Sequence, residues 1–239
     1  MAWTVTGRGA TEVAYTTGGD VGDTFTPSEN DVICVAISWR RLARLDDISG
    51  WSATWHEIGN FEGAGGIGTS LWAARMGASP GSDVANINVT GSESLSAVVF
   101  QIAGGNTTAG LDSIGAGKFF VQSQDDQAYN ASSPFSITAL SAFADASNLS
   151  LTLGSISTNN NFTPQAGWTE AQQASLSTVS FNIAAMYKAT AETLHTVEGT
   201  SFAFRHLTGV ALECAIAPSV SGGGIRNPFG GPLSMRSPI

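Results

Sequence analysis

The chain has 239 residues and a net charge of −9, with 42% apolar but only 12% charged residues, about half the usual ~25%. That length allows one large all-β unit with a sizeable core. The thin scatter of basic residues excludes a nucleic-acid-binding stripe, and no apolar run approaches the ~18 residues of a membrane-spanning helix.

Strand signals dominate in chain order. Alternation marks Trp3-Thr4-Val5-Thr6 and Glu12-Val13-Ala14-Tyr15, and GGDVGD at 18–23 reads as a turn cluster. Pro27 to Asp31 predicts a turn into a buried strand, DVICVAIS at 31–38. GNFEGAGGIG at 59–68 predicts a flexible loop, and SPGSD at 79–83 a tight turn. INVTGSESLSAVVFQI predicts two strands around a Gly-Ser turn; FFVQS at 119–123 and FSITAL at 135–140 predict two more. TNNNFTP at 158–164 predicts a long turn. Helical signals are poor: LSAFADASN at 140–148 amounts to one turn, and TEAQQAS at 169–175 has propensity without an apolar stripe. VICVAI and AVVFQI are apolar on both faces. They are expected to be central strands, covered by a partner sheet on one side and by loops or another subunit on the other.

Two stretches follow one template, about 31–104 and 148–217. Each opens on an apolar run, DVICVAIS or NLSLTLGS. Each reaches an A-x-W-x-E cluster, at Ala53–Glu57 or Ala166–Glu170. Each then shows a double-alanine run, SLWAARM at 70–76 or NIAAMYK at 182–188. Each closes on an apolar strand, SAVVFQIAG or GVALECAIA. Trp55 and Trp168 hold matching places, which predicts a shared structural job. The expected fold is an antiparallel β-sandwich, jelly-roll-like, over residues 1–218 as one unit, because each half alone leaves an apolar face open. After Pro218 the composition changes to a glycine linker with three prolines. Residues 219–239 are expected to form an extended arm, with Arg226, Phe229, Leu233, Met235 and Ile239 spaced as anchors on a neighbouring chain.

Chemistry-bearing motifs are weak. Gly77-Ala78-Ser79-Pro80-Gly81 matches the nucleophile-elbow letters, but turn and strand signals follow where a helix is required, so it reads as a β-turn. His56, His195 and His206 have no metal-ligand spacing. Asp46-Asp47 and Asp125-Asp126 are adjacent pairs that point different ways and do not form a catalytic carboxylate pair. Cys34 and Cys214 sit in apolar runs and read as small buried hydrophobes. No metal, cofactor or enzymatic activity is expected. Arg40, Arg41 and Arg44 read as a solvated loop whose functional use is pairing with acidic groups or a neighbouring chain. Trp39 and Trp51 flank it, and these five residues are the candidate binding or subunit-contact surface.

The twice-used order of strand, loop, GW-T-E cluster, alanine strand, turn and strand resembles β-sandwich structural proteins of tailed bacteriophages and prophages. The likeness lies in QAGWTEAQQAS at 165–175, AAMYKA at 184–189 and VALECAIA at 210–217, with the parallel pieces of the first half. The resemblance implies a virion role: capsid decoration, head fibre or tail appendage. The expected partners are capsid or tail subunits and further copies of the chain, and the expected location is the virion. MAWTVTGRG carries no signal-peptide pattern, so synthesis in the host cytoplasm and release by assembly or lysis are expected. The alternative is a carbohydrate-binding or receptor-binding module that takes a host surface glycan.

Overall fold

The computed structural model describes residues 2–13, 18–40, 44–62, 67–90, 95–131, 134–143, 145–158, 160–174, 182–199 and 205–216. Arg226, Phe229, Leu233, Met235 and Ile239, expected from the sequence to be anchors, lie outside them. The protein is all-β, with no helix among the described residues. Eight strands come first: β1 Thr4–Val13, β2 Gly18–Phe25, β3 Val32–Arg40, β4 Arg44–Ser49, β5 Trp55–Glu62, β6 Ile67–Arg75, β7 Asp83–Thr90 and β8 Leu95–Ala103. Nine follow: β9 Gly110–Ile114, β10 Lys118–Ala131, β11 Phe135–Ser136, β12 Leu149–Ile156, β13 Phe162–Thr163, β14 Thr169–Gln173, β15 Asn182–Lys188, β16 Thr196–Gly199 and β17 Arg205–Cys214.

These strands form two large and two small sheets. One large sheet has the order β1-β8-β3-β6-β5, and the other β14-β15-β12-β17-β10-β9. The small sheets are β2-β7-β4 and β11-β16-β13. Numbered from β10, the second half gives 1-8-3-6-5 and 2-7-4, the order of the first half; β9 is an added parallel edge strand. The four pieces of the sequence template are β3, β5, β6 and β8 in the first half, and β12, β14, β15 and β17 in the second.

Period-two alternation explains the layering. Cys34, Ala36, Leu71, Ala73, Val98 and Phe100 face Leu151, Leu153, Ala185, Val210, Leu212 and Cys214, giving a core between the large sheets. The opposite face of the first large sheet carries Ile33, Val35, Ile37 and Val99, which pack on Val21, Ile48, Ala85 and Ile87 of the first small sheet. The second small sheet covers Ala184, Leu207 and Ala211 with Phe162 and Val197, and Ile137 joins that cluster. The second covering of β3 and β8 is thus a third layer of the same chain, not a loop or another subunit. The order is small sheet, large sheet, large sheet, small sheet.

Local expectations changed in several places: residues 59–62 and 67–68, read as a flexible loop, belong to β5 and β6; Phe162–Thr163 of the predicted long turn form β13; and Arg44, read as part of a loop, opens β4. GGDVGD is not a turn: it is the body of β2, where Gly18 and Gly22 adopt positive φ (140° and 78°) within a strand paired to β7. TEAQQ is β14, because its pairing with Met186 and Ala184 outweighs helical propensity. The end of the predicted strand FSITAL is irregular; only Phe135 and Ser136 are paired.

Phe100 is fully buried at the middle layer. Phe100→Ala is expected to cost about 3–5 kcal/mol of unfolding free energy, read by denaturant titration. A loss under ~1 kcal/mol would mean that this core does not carry the fold.

Candidate functional site

The predicted surface residues separate along the first large sheet. Trp39, near the end of β3, lies half-buried over Gly68, where an added Cβ would come within 2.1 Å of its ring. Its indole N–H donates to Ser70 Oγ at 2.9 Å. Trp51 is buried, 8% exposed, and donates from Nε1 to the Phe25 carbonyl at 3.2 Å. It stacks near Phe25 (4.9 Å) and Trp55 (6.4 Å). Trp39 pairs with Gly68 and Trp55 with Ala74, six residues or about 20 Å apart along β6. Trp39 and Trp51 therefore do not share one surface. Arg40 and Arg44 stand at the ends of β3 and β4, but their side chains, and all of Arg41, fall outside the described residues.

Two buried polar clusters occupy matching places. Arg8 of β1 donates through Nε to Gln101 Oε1 at 2.8 Å, and Gln101 Nε2 donates to Asp31 Oδ2. Asp31 precedes β3 and also accepts the Ser28 backbone N–H at 2.8 Å. In the second half, Gln122 of β10 donates to Glu213 Oε2 at 2.6 Å, and Asn148, which precedes β12, donates to Glu213 Oε1. Asn148 Oδ1 in turn accepts the Ile216 N–H at 2.8 Å. Each cluster joins the first strand of its half, the last strand and the entry to the third. The charged members differ: Arg8 and Asp31 in one, Glu213 in the other. Such satisfied buried networks hold strand ends in register, and we read both as scaffold.

His195 is also scaffold. It is fully buried, edge-on to Trp168 at 4.8 Å. Its Nε2 lies 2.8 Å from the Glu192 carbonyl oxygen, which can only accept, so Nε2 carries the proton. Nδ1 then accepts the Thr152 hydroxyl at 2.6 Å. Burial pushes its pKa down to about 4, against smaller opposing contributions from Glu192. Trp168, the second template tryptophan, thus anchors a loop through a neutral histidine. Cys34 and Cys214 share the central core, and burial raises both thiols. Among the described residues, no group of three or more His, Cys, Asp or Glu is placed to hold a metal ion.

One open cleft, of about 340 Å³, stands apart from these clusters. It opens at the β5/β9 side of the two large sheets and is lined by Thr54, His56, Arg75, Thr107, Ala109 and Leu111 among others. Period two places Arg75 on the face of Leu71 and Ala73, at the rim of the central core. Its Nη2 donates to the Ala109 carbonyl at 2.9 Å, and its guanidinium lies 5.8 Å from the Phe119 ring centroid. Among the described residues no carboxylate reaches Arg75; the ion pairs there are Lys118–Asp112 at 2.8 Å and Lys188–Glu192 at 2.7 Å. Burial lowers the Arg75 pKa. The sequence reading passed over Arg75 inside the run SLWAARM. The available signal was an arginine at inward parity ending an otherwise apolar strand.

His195 supplies a test of sign. Its folded pKa of about 4 lies below its ordinary 6.5, so the unfolded chain binds the proton more tightly. Its contribution is full above pH 6.5 and is lost as pH falls toward 4, by about 3 kcal/mol. Denaturant midpoints at pH 7.5 and pH 4 are expected to diverge more in the wild type than in His195→Gln. Identical profiles would show that His195 is not held neutral.

No family model, curated protein or solved structure matches this chain.

Proposed function

We propose that the protein is a structural component of a tailed-phage virion or phage-like particle, acting by assembly with capsid or tail subunits and with its own copies. The observation that carries this reading is the strand order. In each half, 1-8-3-6-5 faces 2-7-4, an arrangement we read as two jelly rolls joined by their large sheets. Double-sheet jelly rolls recur in viral capsid and lectin domains, so the support is architectural. The low charge of the chain and its apolar C-terminal segment add to it. A second reading, a carbohydrate-binding module on the particle surface, draws support from the Arg75 cleft.

In this account residues 219–239 are the assembly arm, anchored by Phe229 and Leu233. Two such side chains contribute roughly 3–6 kcal/mol when buried, before ordering costs. Deleting the segment is expected to leave the thermal midpoint unchanged and to reduce incorporation into purified particles, read by quantitative mass spectrometry. Absence of the full-length protein from particles would refute the virion role. Equal incorporation of the truncated chain would refute the arm.

A further inference from the structure

We propose that the Arg75 cleft binds the carboxylate of an acidic sugar. This extends the carbohydrate-binding reading, and binding by the isolated protein does not depend on the virion role.

Arg75 stands at the end of a central strand paired with Val32, so its backbone is held. Phe119 lies to one side and the Ala109 carbonyl takes one N–H. A guanidinium carries five donors in a rigid fork. With one donor bonded and the side chain half-buried, the remaining fork faces a cleft among whose described residues no carboxylate lies in ion-pair reach. Burying a cation without an opposite charge is unfavourable, and a monoanion seated in the cleft removes that cost.

The rest of the lining sets the class of anion. A single guanidinium matches one carboxylate through two parallel hydrogen bonds. A doubly charged phosphate calls for more positive charge than these walls supply, because Lys118, beside Gly110 of the lining, is already paired with Asp112 at 2.8 Å. Extending the β5–β6 register by one residue places Thr54 beside Arg75, and Thr107 lines the cleft from the segment before β9. Two hydroxyls and the His56 ring provide donors and acceptors for sugar hydroxyls. Ala109 and Leu111 give an apolar patch for the C–H face of a pyranose. In a chain of net charge −9, general anion attraction does not account for binding, so selectivity is local.

The test is titration of the full chain with sodium glucuronate, glucose, acetate and inorganic phosphate at equal ionic strength, by calorimetry and ligand-observed NMR. Saturable glucuronate binding is expected, tighter than acetate, with glucose and phosphate silent. Arg75→Gln is expected to weaken it about tenfold or more, as for loss of a charged hydrogen bond. Arg75→Lys keeps the charge, loses the fork and is expected to weaken binding as well. It serves as the working variant if Arg75→Gln does not fold. Thr107→Val, at an exposed residue, is expected to weaken binding severalfold at an unchanged thermal midpoint. No saturable glucuronate binding, phosphate binding as tight as glucuronate, or full affinity in Arg75→Lys would each overturn the proposal.

Discussion

The two large sheets bury one another, and the other layers depend on that contact. Each contributes a face of alanine, valine, leucine, phenylalanine and one cysteine. Fully burying a Val, Leu or Phe side chain contributes about 1.5–3 kcal/mol, and this core collects more than a dozen apolar side chains from the two sheets. The packing is reciprocal. β8 lies on β15 and β6 on β17; β6 lies on β12 and β3 on β15. Exchanging equivalent strands of the two halves maps each contact onto the other, as in an isologous two-fold dimer.

The edges follow from that arrangement. β1 meets β14 so closely that a Cβ on Gly7 would sit 2.3 Å from the Ala171 carbonyl. On the opposite side β5 meets the added strand β9. The Arg75 cleft opens there, beside the strand that the first half lacks. The outer layers differ in size for a packing reason. Register places Gly154 and Gly209 where the first half has Ile37 and Ala97. A Cβ at Gly154 would come within 2.8 Å of Val197, and one at Gly209 within 2.8 Å of Ile137. The second small sheet therefore sits close on glycine, and its strands are only two to four residues long.

Much of the fold was legible because long apolar runs report burial directly. VICVAI and AVVFQI announced central strands, and the template pieces fall on β3, β5, β6 and β8 and on β12, β14, β15 and β17. The short outer strands were not legible. β11 and β13 each pair over two residues, too few for a period to register. β2 was masked by its glycines, which usually signal turns. The site was harder still. Trp39 and Trp51 drew attention as surface candidates, yet Trp51 packs inside. Arg75 was hidden because a strand-end arginine is ordinary in sequence, and its distance from carboxylates among the described residues is a property of three-dimensional neighbours alone.

A scaffold and a binding cleft are compatible: the packed sheets set Arg75 at the end of an interior strand, at the rim of the central core. Both readings rest on the two halves behaving as one body. The most direct measurement is sedimentation of the separately expressed halves, residues 1–106 and 107–239. Each alone is expected to self-associate or aggregate through its uncovered large sheet, and the mixture to recover one species of the intact chain's mass. Two halves that each stay folded and monomeric at micromolar concentration would contradict the account.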